Sequence, residues 1–145
     1  MSAYGSNSKL AAYKSVSVHG TVAAADPHRL VLMLMDGVME RLAMARACIE
    51  RRDIAHKAKL LHSCVTLLTE LRGSLNISRG GDVARNLSEL YDYMMRQLMR
   101  ANAESKIEYI KEVSSLLGEV RDAWTAIGPE VRQVVPAAMP AMAMR

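Results

Sequence analysis

The stretch Asp26-Pro27-His28-Arg29-Leu30-Val31-Leu32-Met33-Leu34-Met35-Asp36-Gly37 decides the fold of this chain. Asp26 suits a helix N-cap, because its carboxylate accepts a backbone N–H that the first turn leaves unpaired. Pro27 suits the next position, where no donor is needed. From Leu30 to Met35 the run is apolar on every side for almost two turns. A surface helix needs one apolar stripe, so an all-round apolar helix has to be covered on a second side as well. The pattern predicts a buried helix and points to a protein that binds another polypeptide.

Continued to about Arg51, this first helix carries Leu30, Leu34, Val38, Leu42, Ala45 and Ile49 as its main stripe, joined by Val31. At about 100° per residue, Leu32, Met35 and Met39 fall on one flank of the stripe and Met33 and Met44 on the other. Asp53 caps a second helix to about Gly73, with Ile54, Leu61, Val65, Leu68 and Leu71 inward and Leu60, Cys64 and Leu67 widening that face. The segment Gly73 to Gly81 reads as a loop, because tandem glycines break a helix. A third helix starts near Asp82, with Val83, Leu87, Leu90, Met94 and Leu98 inward and Tyr91, Met95, Met99 and Asn102 on a flank. Ser105-Lys106-Ile107-Glu108 matches a capping box. The fourth helix follows to about Ile127, with Ile110, Val113, Leu117, Val120 and Trp124 inward, and Gly128-Pro129 stops it.

Four amphipathic helices with short connections predict an all-α fold, an antiparallel four-helix bundle over residues 26–128. Residues 1–25, rich in Ser, Gly and Ala but holding Tyr4, Leu10 and Tyr13, predict a flexible N-terminal arm able to lie against a surface. Residues 129–145 predict a mobile Pro/Ala/Met-rich tail.

Composition narrows the function. Half of the residues are hydrophobic, yet there is no Phe and one Trp, and the eleven Met form core filler or an adaptable binding surface. The formal charge of +4 does not predict nucleic-acid binding, because the cations alternate with Glu and Asp along helix faces and no basic block is interleaved with aromatics. No stretch approaches the ~20 apolar residues of a membrane span, and no secretory signal opens the chain, so a cytoplasmic location is expected. Cys48 and Cys64 are offset by roughly 9 Å along a helical hairpin, too far to bridge. Both read as small buried hydrophobes.

Catalytic chemistry finds no footing. A di-iron bundle needs Glu-x-x-His on two helices, and none of Glu40, Glu50, Glu70, Glu89, Glu104 or Glu108 has His three residues later. His56 and His62 fall on different faces, so no metal and no cofactor is expected. Arg79-Gly80-Gly81-Asp82 lacks the strand and the Lys-Ser/Thr of a phosphate loop. A histidine phosphotransfer bundle using His62 is the alternative reading, without the Lys-Gly that follows the phosphorylated His in such domains. A helical homo-oligomer is a third.

Three stretches together resemble the flagellar secretion chaperone family, FliS. They are Asp26-Pro27-His28-Arg29-Leu30 through Met33-Leu34-Met35-Asp36-Gly37; Gly80-Gly81 with Asn86-Leu87, Leu90-Tyr91-Asp92-Tyr93-Met94, Leu98 and Ala101-Asn102; and Val113, Leu116-Leu117, Arg121 and Ala123-Trp124. Ala12-Tyr13 upstream fits as well. Asp26 stands where the family has Ser, and Met35 where it has Tyr or Phe. The resemblance implies a non-enzymatic cytoplasmic chaperone that binds the disordered C-terminal segment of flagellin, prevents premature polymerisation, and assists type III export, with the export gate as a further contact. Its expected groove walls are Leu32, Met35 and Met39 on helix one and Tyr91, Met95 and Met99 on helix three, with Tyr13 of the arm covering one groove in the free protein.

Overall fold

A computed structural model describes residues 26–128 of the chain. The expectations for the arm, for Tyr13 and for the tail lie outside these residues. Four helices run in order: α1 Pro27–Arg51, α2 Ile54–Gly73, α3 Ile77–Glu104 and α4 Ile107–Ile127. Each packs chiefly on its neighbours in the cycle α1–α2–α3–α4–α1. With connections this short, consecutive helices run antiparallel, as an up-down bundle requires. The four-helix bundle read from sequence is the fold.

Local chemistry sets most helix ends. Asp26 accepts from the Arg29 amide at 2.9 Å and Asp53 from the His56 amide at 3.3 Å, each relieving one donor of a first turn. Between them Arg52 takes a left-handed conformation (φ 61°), so that its amide and the next return to Ile49 and Cys48 carbonyls. Two ends differ from expectation. Asn76, not Asp82, caps α3, so a helical turn precedes Gly81, whose φ of 57° and ψ of −132° kink the helix. Ile77 to Gly80 therefore belong to α3 rather than to a loop. Ser105 does not form a capping box either: it closes α3 at φ 52°, and Lys106, with no side-chain cap, opens α4.

The reason Ser105 is diverted lies on α2. Lys57 is only 4% exposed, and its ammonium donates to the Asn102 carbonyl at 2.9 Å and to the Ser105 hydroxyl at 2.8 Å. A buried cation is tolerated here because the C-terminal carbonyls of α3 carry partial negative charge. We expect Lys57→Met, which keeps the stem but removes the donors, to lose about 1–2 kcal/mol in urea unfolding.

The core is built from Val31, Leu34, Val38 and Leu42 on α1, Leu61, Leu68 and Leu71 on α2, Met94 and Leu98 on α3, and Ile110, Val113 and Leu117 on α4. Ile54 and Val83, expected inward, are exposed instead. Ile54 lies in the first turn of α2, and Val83 follows the kink at Gly81, which re-aims the chain. Cys48 and Cys64 are free and buried, and burial pushes the Cys64 thiol up to about 12.

One staple closes the bundle. His28 and Trp124 stack at 5.0 Å between ring centroids. The Trp124 Nε1–H donates to the His28 carbonyl at 2.9 Å, and His28 Nε2 lies 2.6 Å from the Trp124 carbonyl. A carbonyl has no proton to give, so Nε2 carries the hydrogen. Two reciprocal bonds and a ring contact thus tie the start of α1 to the end of α4.

Candidate functional site

The cyclic order of helices makes four seams, and they differ in chemistry. The α3/α4 seam is polar. Glu112 accepts from the Tyr93 hydroxyl at 2.6 Å and from Gln97 at 2.9 Å, and these bonds hold its carboxyl below the usual range. Arg100 lies over the Tyr109 ring at 4.8 Å. Hydrogen bonds and a cation–π contact close this side to an apolar partner.

The α1/α4 seam carries half-buried apolar side chains around one ion pair. Leu32 and Met39 pack one side against the core and leave the other uncovered. Between them on the helix stands Asp36, paired with Arg121 of α4. Opposite Met39 is Gly118, where an added Cβ would meet only the Met39 methyl at 3.9 Å. That is ordinary contact, and glycine inside a helix is entropically unfavourable by roughly 0.5–1 kcal/mol relative to alanine. Gly118→Ala is therefore expected to stabilise the chain by about that amount, seen as a rise of a few degrees in Tm.

The α2/α3 seam is its counterpart. Thr69 donates to the Met95 sulfur at 3.4 Å, and Arg72 pairs with Asp92 across the helices. Met99, one helical turn beyond Met95, is 65% exposed. In a bundle ordered α1–α2–α3–α4 this seam is on the opposite side from α1/α4. The two flanks expected from sequence therefore lie at two separate seams on opposite sides of the bundle.

Two residues assigned to the expected groove walls are buried. Met35 and Tyr91 are 1% and 2% exposed and belong to the core. A bundle helix has two neighbours, so its buried arc is wider than a single stripe, and residues just off the inward centre are covered by the adjacent helix. Met95 is buried at the boundary, while Leu32 and Met39 are half-buried and Met99 is exposed. Asp36 pairs in the middle of α1 with Arg121 of α4. Gly118 carried no signal in the sequence beyond its weak helix propensity. His62 is exposed on α2, with no side-chain hydrogen bond or ion pair among the described residues.

The α1/α2 seam holds a groove of about 640 Å³ with an apolar floor and a cationic rim. Among the described residues there is no cluster of His, Cys, Asp and Glu fit for a metal, and no helix is long and apolar enough to cross a membrane.

Sequence comparisons place this architecture among known proteins. The model of the family described as flagellar protein FliS matches residues 9–131. The flagellar secretion chaperone FliS of Vibrio cholerae is 37% identical over 128 residues, covering 88% of this chain and 94% of the relative. That of Salmonella typhimurium is 40% identical over 124 residues, or 85% and 92% of the two chains. The flagellar secretion chaperone FliSB of Pseudomonas aeruginosa is 42% identical over 115 residues, or 79% and 91%. These relatives are chaperones, not enzymes.

Proposed function

The chain belongs to the flagellar protein FliS family, and from that premise we propose that it is a cytoplasmic export chaperone for flagellin. It binds the C-terminal segment of the subunit, prevents its premature polymerisation, and presents it to the flagellar type III export gate. The observation that carries this reading is apolar surface on opposite sides of the bundle, half-buried Leu32 and Met39 on one and exposed Met99, beside Met95, on the other.

Opposite seams set a requirement on the partner. A helix with its side chains is about 10–12 Å across, so two abreast span roughly 20–24 Å. One rigid helix cannot lie in both seams, but a disordered segment can fold as two short amphipathic helices joined by about seven or more extended residues. Ordering entropy then limits the affinity, which suits a cargo that must be released for export. The subunit's apolar faces are occupied while it is bound and are not available for polymerisation.

Isothermal calorimetry with the C-terminal segment of the cognate flagellin tests the reading. A 1:1 complex with a negative heat-capacity change is the expected result. Absence of binding at micromolar concentrations would overturn it.

A further inference from the structure

The α1/α2 groove is not used by this reading, and its composition is unlike either apolar seam. Its floor is Met44, Ala47, Cys48 and Leu60, and Met44 is 55% exposed despite its position in the middle of α1. Around that floor stand three permanent cations, Arg41, Arg51 and Lys59, and one carboxylate, Asp53. Asp53 is already engaged, with His56 Nδ1 at 2.8 Å and Arg51 at 3.7 Å. Among the described residues Arg41 donates only to the Gly37 carbonyl of its own helix, at 2.9 Å. Lys59 is exposed and makes no ion pair among the described residues.

An apolar trough edged by Arg41 and Lys59, neither of them in an ion pair among the described residues, is complementary to one kind of ligand. We propose that the α1/α2 groove is a second docking surface, for an amphipathic acidic helix of a partner protein other than the flagellin cargo. The stretch from Arg41 to Arg51 spans about 15 Å along α1 at 1.5 Å per residue, room for about three turns. The partner must be helical because a seam between two helices offers no free backbone groups, so an incoming strand would leave its own N–H and C=O groups unpaired on the apolar floor. Apolar side chains at i, i+3/i+4 and i+7 cover Met44 and Leu60, and Asp or Glu on the helix edges meet Arg41 and Lys59.

The chain itself lacks such an element. Residues 1–25 contain no acidic residue, and residues 129–145 contain Glu130 against Arg132 and Arg145. On a second copy, the exposed Met99 is flanked by Arg96 and Arg100, which repel this cationic rim.

The test uses the full chain and three labelled synthetic peptides: an amphipathic helix with a Leu stripe and Glu edges, the same helix with Lys for Glu, and a scramble of the acidic peptide. Fluorescence anisotropy should show saturable binding of the acidic helix alone, weakening with added salt. Lys59→Glu combined with Met44→Glu should weaken it at least tenfold while leaving the affinity for the flagellin segment within twofold. Both positions are exposed, and a thermal melt checks the fold. Lys59→Gln alone, expected to weaken binding about threefold, carries the test if the double variant does not fold. Equal binding of the scrambled or Lys peptide, unchanged affinity in the variants, displacement by a single-stranded oligonucleotide, or competition by the flagellin segment would each overturn the proposal. If flagellin binds but the acidic peptide does not, this proposal alone fails.

Discussion

Replacing Trp124 with alanine is expected to destabilise the bundle by about 3–5 kcal/mol, the range for removing a buried aromatic side chain. The physical content is more than the lost ring. Trp124 is buried against His28, and the Nε1–H that satisfies the His28 carbonyl disappears with the side chain. His28 loses its stacking partner and keeps only its bond to the residue-124 carbonyl. The start of α1 then loses its polar tie to the end of α4, and the half-exposed Asp36–Arg121 pair lies too far along α1 to replace it. For a domain of about 100 residues, the loss corresponds to a fall in Tm of roughly 15–30 °C. Trp124→Phe separates the two contributions. It keeps most of the ring and leaves one buried carbonyl unpaired, for about 1–3 kcal/mol. Thermal and urea unfolding read both values, and an alanine variant within 1 kcal/mol of the parent would show that the staple does not hold the bundle end.

The second large effect concerns binding rather than folding. Leu32→Glu or Met39→Glu should each weaken the complex with the flagellin segment at least about 30-fold, the equivalent of a 2 kcal/mol hot spot. Both side chains already rest one side on the core, so a partner helix entering the α1/α4 seam covers the other side and removes them from water. A carboxylate there is either desolvated without a partner or keeps the seam wet, and both outcomes oppose docking. Arg121 is close at hand but is already engaged by Asp36. The fold should tolerate these changes, because each residue is only half-buried in the free chain. Calorimetry measures the affinity and a thermal melt verifies the scaffold. Undiminished affinity in both variants would remove the α1/α4 seam from the proposed site.

The helices and their inward residues were legible in sequence because apolar periodicity and caps act within a few turns. Asp26-Pro27 starts α1 and Asp53 starts α2, and both caps are made by the side chains expected to make them. Ser105 shows where local reading stops. Its spacing to Glu108 is that of a capping box, but the long side chain of Lys57, 48 residues earlier, takes its hydroxyl for the end of α3. The Gly80-Gly81 pair likewise bends α3 rather than ending it, because Asn76 has already capped the preceding turn.

The proposed binding surface was legible only in part. Wheel geometry separated Leu32 and Met39 from the inward stripe of α1, and they do lie on its flank facing α4. It placed Met35 and Tyr91 with them, yet both belong to the buried core, since a wheel describes one helix and burial is decided by the whole fold.

The sequence by itself determined that this chain is an all-α bundle of four helices and, through residues spread from Asp26 to Trp124, which family it belongs to. Helix period, caps and motif residues are local properties, and each can be read where it stands. Only the tertiary structure decided that Leu32 and Met39 lie on one side of the molecule and Met99 on the other. It also decided that Lys59 and Arg41 border a third surface between α1 and α2. Those relations depend on which helix lies beside which, and that is set by the packing of all four faces at once.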